Sequence, residues 1–175
     1  SLGEGEHLTD VNFVMGPTFE LETCSTPGLP ITDYNTVSDV MSVAGSGTIS
    51  EVEVYVNITH TYRGDLIVTL TSPEGINVVL HNQTGFGDDN IIGWYPLDLE
   101  PTGDLGAFVG EDMSGDWTLS VSDELGGDQG TFNEWCLHFI YDDNSVAAVD
   151  TPELVLALHK NFPNPFNPIT NIKFD

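Results

Sequence analysis

Positive charge is what this sequence most lacks. Its 175 residues carry three Lys and Arg against 28 Asp and Glu, a formal net charge of −25. Such a surface repels phosphate backbones and anionic lipid, which argues against nucleic acid and membrane surfaces as partners. It suits a salty outside medium and tolerates divalent cations, although an ion site needs geometry and not a count of acids. Long apolar runs are missing as well. "ELVLAL" at 153–158 is far short of the roughly 20 residues that cross a bilayer, so no membrane span is expected. No signal peptide is visible and the chain starts at Ser1 rather than Met. It therefore reads as a processed or excised piece of something longer.

Cysteine is scarce: Cys24 and Cys136 are the only two. Without a Cys-x-x-Cys pair, zinc and redox motifs are absent. A bond between Cys24 and Cys136 would tie the leading segment to a late strand, and closing so long a loop is worth roughly 4–5 kcal/mol in chain entropy. The alternative is two unpaired buried thiols. A disulfide, taken with the acidic surface, favours a secreted, oxidising location.

Helical periodicity is missing from the middle of the chain, and alternation stands in its place. In "EVEVYVNI" Val52, Val54, Val56 and Ile58 point one way while Glu51, Glu53, Tyr55 and Asn57 point the other. Leu66, Val68 and Leu70 repeat the pattern, as do Trp117, Leu119 and Val121, and again Trp135, Leu137 and Phe139. A Ser72-Pro73-Glu74-Gly75 turn leads into "INVVL", and the Gly- and Asp-rich residues 81–115 read as loops with room for one short strand. Short alternating strands broken by turns predict an all-β fold, a jelly-roll-like β-sandwich. The expected division is a leading segment or linker over 1–23, the sandwich over 24–142, a linker over 143–158 and a truncated further piece over 159–175. In that last piece Pro163, Pro165 and Pro168 exclude a helix.

Four ordered motifs then carry a resemblance. Tyr62-Arg63-Gly64-Asp65-Leu66 opens a strand, Ser72-Pro73-x-Gly75 turns it, Gly115-x-Trp117-x-Leu119 begins another, and Trp135-x-Leu137-x-Phe139 closes the series. Together they resemble the P domain, or Homo B domain, that follows the catalytic domain of subtilisin-like proprotein convertases and of many secreted bacterial proteases. The likeness covers roughly residues 24–141. The centre of the loop after Gly85 does not match the family pattern. The tail "NFPNPFNPITNIKFD" at 161–175 resembles the opening of the C-terminal sorting domain of type IX secretion, which would imply a bacterial protein that is secreted or held at the cell surface.

The candidate chemistry can now be weighed. Arg63-Gly64-Asp65 invites an integrin-adhesion reading, yet it runs straight into an alternating strand, and in a P domain it is scaffold. Calcium takes six to eight oxygens from carboxylates, carbonyls and water. Asp88, Asp89 and Asn90 offer some, Glu111, Asp112 and Asp116 offer more, and Asp65 sits at a strand mouth. The resemblance implies calcium as cofactor, and the ligands selected are Asp65, Asp88, Asp89 and Asp112; the plainer reading makes them turn-forming loop acids. No Gly-x-Ser-x-Gly elbow or subtilisin-type motif accompanies the five histidines, so no catalytic residue is assigned. Trp94 and Tyr95, in the unmatched loop, are candidates for ligand contact, against a loop that folds its own apolar residues inward. The resemblance implies a non-catalytic accessory domain that stabilises or regulates the protease domain of its own parent chain, or helps engage a protein or polysaccharide substrate. The alternative is an independent adhesion or carbohydrate-binding sandwich.

Overall fold

The computed structural model describes residues 17–143. The linker and sorting-domain readings of 143–175 fall almost wholly outside them. Nine strands form: β1 Thr18–Ser25, β2 Leu29–Ile31, β3 Thr36–Val43, β4 Thr48–His60, β5 Leu66–Thr71, β6 Asn77–Asn82, β7 Ile91–Tyr95, β8 Gly115–Asp123 and β9 Gly130–Asp142. Two short 3-10 turns, Arg63–Asp65 and Leu105–Phe108, interrupt them.

The alternation dictates the layers. One sheet runs β1-β9-β4-β7, with β2 also on β9, and the other runs β3-β8-β5-β6, every pairing antiparallel. That strand order is a jelly roll in which β1 and β2 share one position along the edge of β9. All the side chains that the alternation turns inward are buried. Val54, Val56, Leu66, Val68, Leu70, Trp117, Leu119, Val121, Trp135, Leu137 and Phe139 are each 0% exposed. Phe108 packs edge-on to Trp117 with ring centroids 5.1 Å apart, and Trp117 lies 5.3 Å from Phe139. The indole N–H groups are satisfied, Trp117 by the Met113 carbonyl at 2.9 Å and Trp135 by the Asp39 carboxylate at 2.8 Å. Dense packing of two sheets around fully hydrogen-bonded indoles is what fixes the spacing of the layers.

The leading segment departs from its sequence reading. Thr18–Ser25, mostly inside the stretch assigned to a linker, is a strand paired with β9 from Thr18↔Asp142 to Ser25↔Trp135. Its alternation is weak because it is a largely exposed edge, held by backbone bonds rather than by buried apolar side chains. Cys24 stands directly opposite Cys136 in this register, and the two form a disulfide across 112 residues. Replacing both by serine removes that constraint on the unfolded chain. The expected loss is about 3–5 kcal/mol in a urea titration; a loss near zero would mean that the ladder alone holds β1.

Candidate cation site at one end of the sandwich

β4 ends at His60, and within a few residues the chain must pass from one sheet to the other to start β5 at Leu66. The 3-10 turn Arg63–Asp65 makes that crossing, with Asp65 N–H donating to the Tyr62 carbonyl at 3.2 Å. The 85–90 loop lies over it. Arg63 N–H donates to Asp88 O (2.9 Å), Gly64 N–H to Phe86 O (3.1 Å), and Asn90 N–H to His60 O (2.9 Å). Position 64 has to be glycine, since a Cβ there would lie 2.8 Å from the Phe86 carbonyl oxygen. Gly64 and Asp65 are buried, so the tripeptide offers no adhesive loop. The Arg63 carbonyl accepts from His81 Nε2 at 2.9 Å, and burial lowers the pKa of that imidazole, keeping it neutral. The Arg63 guanidinium meets Asp88 at 2.7 Å, but with 31% and 67% of the side chains exposed this pair is worth less than about 1 kcal/mol.

Asp65 is the anomaly. It is 4% exposed, and no hydrogen bond among the described residues reaches its carboxylate. Together with Tyr62, Leu125, Gly126 and Asp128 it lines a depression of about 240 Å³. Burial pushes its pKa up, and the negative charges of Asp123, Asp128 and Asp33 push it further, with only His60 opposing. Four carboxylates therefore share this end. Each of the other three has a partner on one oxygen: Asp33 takes Gly127 N–H at 3.1 Å, Asp123 takes Leu125 N–H at 3.2 Å, and Asp128 takes the Thr61 hydroxyl at 2.7 Å.

The second Asp123 oxygen lies 3.3 Å from His60 Nε2, both side chains being wholly enclosed. His60 Nδ1 lies 2.9 Å from the Tyr62 carbonyl and 3.3 Å from the Tyr62 N–H, so both backbone groups of Tyr62 hold the ring in place. One of the four acids is thus tied to a histidine, and the most buried of the remainder has nothing.

The residues selected from sequence do not all meet here. Asp65, Asp88 and Asp89 share this end; Asp88 is engaged by Arg63, and Asp89 lines a neighbouring depression with His60 and Asn90. Asp112 sits at the opposite end, bridged to Thr48. The 13 residues of β4 separate it from His60, about 40 Å at strand rise. There it accepts from the Ser46 hydroxyl at 2.7 Å and Ser114 N–H at 2.8 Å. Trp94 and Tyr95 are not in a loop but on β7, whose five residues around Gly93 are too few to display alternation. Tyr95 is 1% exposed and packed in the core; half-buried Trp94 pairs with Tyr55 at 5.4 Å. The sequence reading passed over Asp33, Asp123, Asp128 and His60 as partners of Asp65. A signal existed for two of them: His60 continues the inward parity of Val54, Val56 and Ile58, and Asp123 that of Trp117, Leu119 and Val121. Among the described residues the only three metal-type ligand atoms within 4.8 Å of one another belong to Glu22, Cys24 and Cys136, whose sulfurs are spent in the disulfide. The acids around Asp65 are more widely spaced than that.

The Ser46 and Ser114 hydrogen bonds hold Asp112 at a pKa of about 2. A lowered carboxylate pKa stabilises the fold above the unfolded value of 3.8 and loses that contribution as pH falls through about 2. Asp112→Ala should therefore lower stability by about 1–2 kcal/mol at pH 7. The difference from the parent should shrink below pH 4 in an acid-unfolding series; a pH-independent difference would assign the loss to packing instead.

The sequence profile of the proprotein convertase P-domain matches residues 49–139, more than half of the chain. Leupeptin-inactivating enzyme 1 of Streptomyces exfoliatus is 34% identical over 122 residues, covering 70% of this chain and 25% of that protein. A calcium-dependent protease of Nostoc sp. is 38% identical over 105 residues, covering 58% of this chain and 16% of its own length. The chain thus spans a quarter or less of these relatives. Among solved structures, a serine protease of Aeromonas sobria superposes with a TM-score of 0.57 at 20% identity, over 73% of this chain and 28% of that one, which is a likeness of fold. With the motif order, the jelly roll and the matched span in agreement, this chain belongs to the proprotein convertase P-domain family.

Proposed function

We propose that this P domain is a non-catalytic accessory module of a secreted or surface-held bacterial protease, and that its His60–Asp65 end takes up calcium. The observation that supports the ion is the Asp65 carboxylate, which opens onto the depression from a largely buried residue, has no hydrogen bond among the described residues and is surrounded by like charge. A buried ionised group in that position is destabilising unless a cation answers it. Asp65 and Asp128, with the second oxygen of Asp33, offer the hard oxygen donors that calcium prefers, and Asp89 is at hand in the adjoining depression. Relatives named calcium-dependent proteases give the same direction. Asp112 is left out of this set because it lies at the far end of β4.

The partner in this reading is the protease domain of the same parent chain. An ion that binds only the folded module stabilises it by mass action, and the stiffened module stabilises or regulates whatever domain packs on it. Serine or metal-dependent chemistry would belong to that neighbour.

Thermal unfolding in calcium and in chelator tests the ion. At a hundredfold excess over Kd the midpoint should rise by about 10 °C. Asp65→Asn and Asp128→Asn should abolish the rise, and Asp112→Asn should leave it intact. Because the folded-state pKa of Asp65 is raised, its ionised form opposes folding above that value and the penalty fades as pH falls towards 3.8. In chelator at pH 7, Asp65→Asn should therefore match or exceed the parent in stability. A midpoint indifferent to calcium, or a rise that survives Asp65→Asn, would overturn the assignment.

A further inference from the structure

Acidic residues are unevenly placed over the two broad faces of the sandwich. The outward side chains of β1, β9 and β4 include Glu20, Glu22, Glu51, Glu53 and Glu134. The other sheet is different. Alternation turns Trp117, Leu119 and Val121 of β8 into the core, so Thr118, Ser120 and Ser122 face out. Register then defines three complete rows across β3, β8, β5 and β6. The middle row is Ser38–Ser120–Thr69–Val79, and the rows beside it run from Thr36 to Asn82 and from Val40 to Asn77. None of these twelve side chains is charged, in a chain where 28 of 175 residues are Asp or Glu. Acids resume at the margins, where Asp116 accepts from the Ser42 hydroxyl and Glu124 from that of Ser122.

The face is open, with Val40 55% exposed and Thr36, Ser38, Asn77 and Asn82 exposed as well. Its hydroxyls bond to their neighbours across the strands. Thr36 donates to Ser122 at 3.1 Å, Ser38 and Ser120 lie 2.9 Å apart, and Thr71 donates to the Asn77 side-chain oxygen at 2.7 Å. Polar groups already paired in this way lose little when water is removed. Val40, Ile67 and Val79 place apolar surface between them. Depletion of charge marks the centre of protein interfaces, and here it is complete over three rows.

We infer that this face packs against the protease domain of the same parent chain, through an uncharged patch on that domain. Area decides between a tethered and a free partner. Four strands about 4.8 Å apart and three rows about 7 Å apart make a face of about 400 Å², or about 800 Å² counted on both partners. Stable complexes between free partners bury about 1,600 Å². Domains of one chain meet over about 600–1,500 Å² of comparatively polar surface, and the tether makes up the difference by raising effective concentration. A second copy would set one charge of −25 against another for the same small area. The relatives leave room for a large neighbour, since this chain spans a quarter or less of them. This inference rests on the reading of the chain as an accessory module of a protease and is independent of the calcium assignment.

Variants with one added cysteine, made both in the parent protein expressed whole and in this chain alone, test it by maleimide labelling. Ser38→Cys lies on the uncharged face and Glu51→Cys on the acidic one. In this chain alone both should react readily. In the parent, Ser38→Cys should react about tenfold more slowly while Glu51→Cys keeps its rate. Adding Thr69→Glu in the middle row should shift this chain's own thermal midpoint by less than about 3 °C, yet restore fast labelling of Ser38→Cys in the parent. Equal Ser38→Cys rates in parent and isolated chain, equal slowing at both positions, or slowing that survives Thr69→Glu would overturn the face and leave the accessory reading standing. A parent without a protease domain would overturn both.

Discussion

The pairing of β4 with β9 is the constraint on which the other contacts depend. The two strands run against each other along their whole lengths, from Thr48↔Asp142 to His60↔Gly130, and both sit in the interior of their sheet. Their inward side chains supply a large part of the buried core. β1 adds along the edge of β9, and the outward faces carry the disulfide and the Tyr55–Trp94 pair. Such a ladder joins residues some eighty positions apart in sequence, so its closure must overcome a large loop entropy before any packing is gained. The disulfide acts on the same long-range problem from the unfolded side, by holding β1 to β9 when the ladder is open.

A ladder that long has two ends, and the polar features of the molecule gather at them. At the Thr48 end the Asp112 carboxylate is fully served by serine donors, and the loop beneath it closes without help. At the His60 end the inward parity of two strands delivers His60 and Asp123 into an enclosed space, where they pair with each other. Asp65 is brought to the same place by the 3-10 crossing and receives no donor. Both ends carry carboxylates, but Asp112 has a donor on each oxygen whereas Asp65 has none among the described residues. That difference, and not the acid content, is what makes the Asp65 end the candidate for a cation.

Most of the fold was legible because alternation of period two has a direct physical cause, the opposite faces of a half-buried strand. Where that cause is absent the reading failed in a consistent way. β1 is held by backbone bonds and a disulfide, so its side chains do not advertise it; β7 is too short and is broken by Gly93. The candidate site was less legible than the fold. Proximity in sequence grouped Asp88 with Asp89 and Glu111 with Asp112, whereas the structure groups Asp33, Asp65 and Asp128 from three separate connections with Asp123 from the end of β8. No spacing rule links such residues. What the sequence did hold was the parity of His60 and Asp123, each a polar residue continuing an inward apolar series.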